Sequence, residues 1–75
     1  MTRMTHEIDT GTRNVVYDLI SLSYHLLQGA ENIGVYAEDA EREGNEELAR
    51  FFRESKEEFT RRADKAKQLL GRHLE

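Results

Sequence analysis

The chain has 75 residues, enough for one small domain, and it contains no cysteine, proline or tryptophan. Disulfides and thiolate metal sites are therefore excluded, and a domain of this size commonly needs a bound metal or self-association for stability. With 15 acidic residues against 11 lysines and arginines, the net charge of −4 disfavours nonspecific binding to nucleic acid, which depends on a basic surface.

Residues 1–11 show only weak periodicity and are predicted to form a flexible arm. They lack the apolar core of a signal peptide, and no apolar run in the chain approaches the ~20 residues of a membrane span. We therefore predict a cytoplasmic protein without a membrane span. Thr10 or Thr12 is a candidate N-cap for the following helix, because a hydroxyl accepts hydrogen bonds from the free N–H groups of a first turn.

Residues 12–43 carry the periodicity of one long amphipathic helix. Apolar side chains recur at steps of three, four or seven, which keeps them on one face, and a second row widens that face. Gly29 and Gly34 lie inside this helix at a cost of about 1 kcal/mol each, which predicts either the close approach of another helix or a mild kink. The first row comprises Val15, Leu19, Leu22, Leu26, Ile33, Ala37 and Ala40, and the second comprises Val16, Ile20, Ser23, Leu27, Ala30 and Gly34.

The periodicity breaks once, at residues 44–45. Gly44 suits the left-handed position that follows a helix, and Asn45 suits the N-cap of the next one. The pattern therefore predicts an antiparallel hairpin whose second helix spans 46–72. The two final residues, 74–75, are typical of a cloning remnant. The apolar row of the second helix comprises Leu48, Phe52, Ser55, Phe59, Ala63, Ala66 and Leu70.

The apolar face of the first helix is wider than the second helix can cover. Monomers rarely expose an apolar patch of that size, and the simplest way to bury it is against a second hairpin. We therefore predict an all-α homo-oligomer, at least a dimer, in which hairpins form a four-helix bundle. The predicted interface comprises Val15, Val16, Leu19, Ile20, Leu22, Leu26, Leu27, Ile33, Phe52 and Phe59.

Charge is distributed unevenly along the predicted hairpin. Residues 38–47 hold six acidic side chains and one cation, Arg42, whereas residues 61–72 hold five cations and one acid, Asp64. The turn end is therefore acidic and the open end basic. Hairpins with their turns at opposite ends would bring these regions together, although each exposed ion pair contributes little.

A second pattern of characteristic residues extends over a little more than half of the chain. The residues that carry it are Ala37, Ala40, Glu43 with Gly44, Leu48 with Ala49, Phe52 and Ala63. With this spacing, the segment 26–70 resembles the rubrerythrin branch of the ferritin-like superfamily, which includes half-length hairpins such as the encapsulated ferritins. The resemblance implies a four-helix bundle assembled from hairpins.

The same resemblance indicates where iron ligands would lie. Di-iron bundles use an inward glutamate on one helix and a Glu-x-x-His motif on the other. The glutamate of that motif falls on Phe59 and its histidine on Arg62, while the first-helix glutamate falls on Leu26, or on Gly29 if the hairpin is aligned as in the encapsulated ferritins. The family's tyrosine falls on Ile33. We therefore predict no di-iron centre and no cofactor, with iron as the alternative.

Some polar residues remain as candidates for a site. Tyr17, Tyr24 and Glu31 recur every seven residues and are interpreted as an interface rim; the alternative is a residual site in which Glu31 binds a cation with support from Tyr24. Glu31 is therefore the best metal candidate. His25 is interpreted as a surface residue, the alternative being a ligand shared across a dimer axis.

No catalytic constellation is visible in the sequence. Ser21, Ser23 and Ser55 are predicted to lack a histidine at helical spacing, and there is no glycine-rich phosphate loop. The protein is therefore predicted not to be an enzyme, and a ferroxidase activity is the only enzymatic alternative.

Three functional classes follow. The predicted one is a non-enzymatic, self-associating hairpin module on a ferritin-like scaffold, with room for an unknown protein partner. The second is a divergent ferritin-like metal-binding protein with a site at a subunit interface. The third is an amphipathic helix pair that opens onto a membrane or a partner helix.

Overall fold

The computed structural model describes residues 14–74, which form two α-helices and no strand. Helix α1 spans Val15–Arg42 and helix α2 spans Glu46–Leu74. They pack side by side in opposite directions, which confirms the predicted all-α helical hairpin. The predicted arm at 1–11 and the terminal Glu75 lie outside the described residues.

Helix α1 begins later than predicted, because Asn14 is its N-cap. The Asn14 backbone is extended, with φ −150° and ψ 129°, and its side-chain oxygen accepts a hydrogen bond of 3.1 Å from the Tyr17 N–H. The predicted start at residue 12 is therefore wrong. Asparagine is at least as good an N-cap as threonine. The earlier candidates, Thr10 and Thr12, lie outside the described residues.

The turn between the helices closes as the sequence predicts. Gly44 has a φ of +75°, and its N–H donates to the Glu41 carbonyl at 2.9 Å, while the Asn45 N–H donates to the Ala40 carbonyl at 2.9 Å. This pair of bonds is a Schellman motif, which satisfies the last carbonyls of α1. The Asn45 side chain then accepts from the Leu48 N–H at 3.0 Å and caps α2.

The seam of α1, the strip that packs against α2, differs from both predicted rows. Its residues are separated alternately by three and four positions, the spacing of a coiled coil, and all are buried or partly buried. Two residues of the first predicted row, Val15 and Leu22, lie outside this seam and are 56% and 47% exposed. The seam comprises Val16, Leu19, Ser23, Leu26, Ala30, Ile33, Ala37 and Ala40.

The seam of α2 is built on small residues. Ala49, Ala63 and Ala66 are buried, and alanine allows two helix backbones to approach closely. Leu48 and Phe59, which belong to the predicted row, are 40% and 37% exposed. Four further positions of this seam are partly buried: Phe52, Ser55, Leu69 and Leu70.

The helices continue without interruption to the end of the described segment. Helix α2 runs through Gly71 to Leu74, two residues beyond the predicted end. The buried Ser23 hydroxyl donates to the Leu19 carbonyl at 2.8 Å, and within residues 14–74 every buried side-chain nitrogen or oxygen has a hydrogen-bond partner. Neither α1 nor α2 combines the length and apolarity that crossing a bilayer requires.

Two glycine substitutions test the turn. An added Cβ meets nothing within 4 Å at either Gly44 or Gly71, but only Gly44 has a positive φ. We expect Gly44→Ala to lower the free energy of unfolding by roughly 1 kcal/mol, because alanine is strained in the left-handed region. The matched control Gly71→Ala should leave it unchanged or raise it by up to about 1 kcal/mol, because alanine favours a helix.

Thermal denaturation of both variants at one protein concentration measures the difference. Equal destabilisation by the two substitutions would contradict the left-handed turn.

Candidate self-association surface

Two sets of side chains lie on either side of the α1 seam. In each set the residues are seven apart, which places them along one edge of the helix. The first edge holds Val15, Leu22, Gly29 and Tyr36, and the second holds Ile20, Leu27, Gly34 and Glu41. Contacts across the hairpin show which part of α2 each edge meets.

The first edge of α1 meets phenylalanines. A Cβ added to Gly29 would lie 2.8 and 2.9 Å from two ring carbons of Phe59, so this ring packs directly on the glycine. The Tyr36 and Phe52 rings meet edge-on with centroids 5.7 Å apart, and both line an open groove with Leu48. We call this side of the hairpin the phenylalanine face; it comprises Val15, Leu22, Tyr36, Leu48, Phe52 and Phe59.

The second edge of α1 meets cations. A Cβ added to Gly34 would lie 3.2 Å from the Lys56 ammonium nitrogen, and the Arg53 guanidinium donates to the Glu41 carboxylate. Arg53 and Lys56 also line an open groove on α2 with Thr60. We call this side the cationic face; it comprises Ile20, Leu27, Arg53, Lys56 and Thr60.

The structure distributes the ten predicted interface residues over three places. The hairpin seam takes Val16, Leu19, Leu26 and Ile33. The phenylalanine face takes Val15, Leu22, Phe52 and Phe59, and the cationic face takes Ile20 and Leu27. Helix α2 therefore covers only the middle of the wide apolar face of α1, and the two remainders lie on opposite sides of the hairpin.

The positions that the ferritin-like resemblance assigns to iron ligands do not fit a di-iron centre. The Phe59 ring fills the space beside Gly29, Ile33 is buried and Leu26 is partly buried, so hydrocarbon occupies the space between the helices. Arg62 is exposed and carries a fixed positive charge. Within residues 14–74, no three histidine, aspartate or glutamate side chains form a cluster that could hold a metal ion.

Glu31, the best metal candidate, lies beside Tyr24 as the seven-residue spacing predicts. Both residues line an open depression of about 230 Å³ together with Leu27 and Gln28. Leu27 belongs to the cationic face, so this depression opens on the side opposite the phenylalanines. The site offers one carboxylate, one amide and one phenol, and Tyr24 is 60% exposed.

One pair of neighbouring polar side chains was not predicted from the sequence. Ser21 and His25 are four residues apart, which is a helical spacing, and the Ser21 Oγ lies 3.5 Å from the His25 Nδ1. The prediction that Ser21 lacks a histidine partner is therefore wrong. The distance is at the limit of a hydrogen bond. Both polar groups are accessible to solvent and the His25 ring packs edge-on against Tyr24, with centroids 5.4 Å apart.

No protein-family model matches the chain, and comparisons with curated proteins and with solved structures gave no significant match. The structure shows a helical hairpin. The resemblance to the ferritin-like superfamily stays a prediction.

The two glycines of α1 allow a matched test of the contacts that distinguish the two faces. We expect Gly29→Ala to lower the free energy of unfolding by about 1–2 kcal/mol, since overpacking against the Phe59 ring outweighs the gain in helix propensity. Gly34→Ala should be neutral or stabilising by up to about 1 kcal/mol, because the flexible end of Lys56 can move aside.

Chemical denaturation measures both values. Phe59→Leu in the Gly29→Ala background should recover part of the loss, because leucine removes the ring from this position. Equal effects of the two glycine substitutions, or no recovery by leucine, would contradict the close contact of Phe59 with Gly29.

Proposed function

We propose that the protein is a non-enzymatic helical-hairpin module that self-associates into a four-helix bundle, at least a dimer, on a ferritin-like scaffold without iron ligands at the family positions. The observation that carries this proposal is the exposure of large apolar side chains along the phenylalanine face. Val15, Leu22, Tyr36, Leu48 and Phe59 are between 37% and 56% exposed in the isolated hairpin.

The size of this surface is adequate for association. Fully burying a leucine or phenylalanine contributes about 1.5–3 kcal/mol, so burying the remaining half of one such side chain contributes roughly 1 kcal/mol. Five side chains from each of two copies then contribute on the order of 10 kcal/mol. Association itself costs an estimated ~4–15 kcal/mol. Contact over the whole face is therefore needed, and polar groups around it can decide the orientation.

The ferritin-like part of the proposal rests on the resemblance of segment 26–70 and on the hairpin itself. The non-enzymatic part rests on Phe59 and Arg62, since neither a phenyl ring nor a guanidinium can bind iron. The cytoplasmic location stays a prediction from the sequence.

A divergent metal-binding protein is the second candidate. The observation that favours it is the depression in which Tyr24 and Glu31 lie together with Gln28. Hard cations prefer carboxylate and amide oxygens, and a copy of the chain that met this depression could complete the ligand set. Iron is then the alternative cofactor, and the copies would have to meet on the cationic side of the hairpin.

The first test of the proposal is the molar mass in solution. We expect light scattering behind a sizing column to give at least twice the 8.8 kDa of the chain at micromolar concentration. The thermal midpoint should rise with protein concentration, because association stabilises the folded state by mass action. A folded species of 8.8 kDa whose midpoint does not depend on concentration would contradict self-association.

A ferrous titration separates the two candidate functions. We expect the wild-type chain to bind no stoichiometric Fe²⁺ and to show no iron-dependent oxygen consumption, because Phe59 and Arg62 stand at the family's ligand positions. Uptake of two irons per bundle would contradict the proposal. Loss of that uptake in Glu31→Gln, with the oligomer mass unchanged, would then assign the metal to the depression beside Tyr24.

A further inference from the structure

We propose that two copies of the chain pack with their phenylalanine faces together and with their turns at opposite ends. This inference rests on the proposed self-association and adds to it the surface that is used and the orientation of the partner. It is carried by two separate observations, the difference between the two faces and the charge distribution along the hairpin.

The first observation concerns the choice of face. On the phenylalanine face, α2 contributes Phe52 and Phe59, so apolar side chains line both helices. On the cationic face, α2 contributes Arg53 and Lys56 beside Thr60. Glu57 and Arg61 line the same groove and Arg53 is paired with Glu41, so two cationic faces brought together would strip many charged groups of water, which is unfavourable. The acids that line the groove of the phenylalanine face, Asp39 and Glu43, lie at its turn end, and the middle of this face, where the Phe59 ring packs on Gly29, is apolar.

The second observation concerns orientation. The turn end of the hairpin, residues 38–47, holds six acids against Arg42, and the segment 61–72 near the open end holds five cations against Asp64. Turns at the same end would place acid against acid and base against base. Turns at opposite ends place each acidic tip against the basic segment of the other copy. Each exposed pair is weak, but most of the pairs between an acidic tip and a basic segment are attractive.

The antiparallel arrangement also brings the two phenylalanine faces into contact along their whole length. Gly29 lies at the middle of α1, so a two-fold axis there brings the Phe59 rings of the two copies close together. Val15 and Leu22, near the open end, then approach the partner's Tyr36, Leu48 and Phe52 near its turn. Aliphatic side chains of each copy thereby cover aromatic side chains of the other.

A pair of lysine substitutions on α1 tests the choice of face. Leu22 is 47% exposed on the phenylalanine face and Ile20 is 50% exposed on the cationic face, so the two sites are matched in size and accessibility. We expect Leu22→Lys to reduce the mass measured by light scattering to that of the 8.8 kDa monomer, and Ile20→Lys to keep the wild-type mass. Circular dichroism checks that both variants stay helical.

Two other outcomes would contradict the choice of face. Loss of the oligomer in Ile20→Lys, or its retention in Leu22→Lys, would overturn the choice of face while leaving self-association intact. Leu48→Lys, at a residue 40% exposed near the turn, is a second variant of the same face and should also give a monomer. A monomeric wild-type chain would overturn the proposed function together with this inference.

Spin labels test the orientation, and the absence of native cysteine makes single labelling straightforward. With Glu47→Cys at the turn end, pulsed electron spin resonance should give a distance between the two labels of about 40 Å, since the turns are one helix length apart. Turns at the same end would give roughly 25 Å or less, because neighbouring helices lie about 8–10 Å apart.

Two further positions serve as controls. Gln68→Cys, near the open end, should also give a long distance, whereas Glu57→Cys, near the middle of α2, should give a short distance in either orientation. Short distances at both Glu47 and Gln68 would overturn the antiparallel arrangement and leave the choice of face unaffected.

Discussion

The close contact of two alanine-rich seams is the constraint on which the rest of the hairpin depends. Ala30, Ala37 and Ala40 on α1 and Ala49, Ala63 and Ala66 on α2 are buried, and within residues 14–74 no large side chain is fully buried. An alanine methyl removes little apolar surface from water, so this core supplies little stabilisation for its length. Several large apolar side chains flank the seam and stay about half exposed, among them Val15, Ile20 and Leu22.

The two glycines of α1 give the two sides of the hairpin different chemistry. Gly29 lets the Phe59 ring pack against the α1 backbone, and Gly34 lies beside the Lys56 ammonium group. A side chain at Gly29 would push the ring outward. The asymmetry between an apolar face and a charged face therefore follows from which residue of α2 lies opposite each glycine, and it gives an otherwise simple helix pair one side suited to burial and one suited to water.

The sequence predicted the hairpin and its turn because the relevant interactions are local. Gly44 and Asn45 act through backbone conformation and capping bonds that involve only a few neighbouring residues. The seam of α1 could not be predicted in the same way. It passes through Ser23 and Ala30, which rank low in hydrophobicity, and avoids Leu22, which ranks high. Packing against α2 decides this choice, and apolarity alone places both predicted rows on one face.

The candidate metal site beside Glu31 could likewise be predicted only where it depends on residues of one helix. The seven-residue spacing of Tyr24 and Glu31 correctly placed them side by side, but no pattern within α1 shows what α2 contributes to that side of the hairpin. The Lys56 ammonium group lies there beside Gly34, and its positive charge opposes the approach of a metal cation. On the opposite side, the Phe59 ring fills the space beside Gly29 with hydrocarbon. Within residues 14–74, neither side of the hairpin brings three histidine or carboxylate ligands together, and apolar side chains from both helices meet on the phenylalanine face.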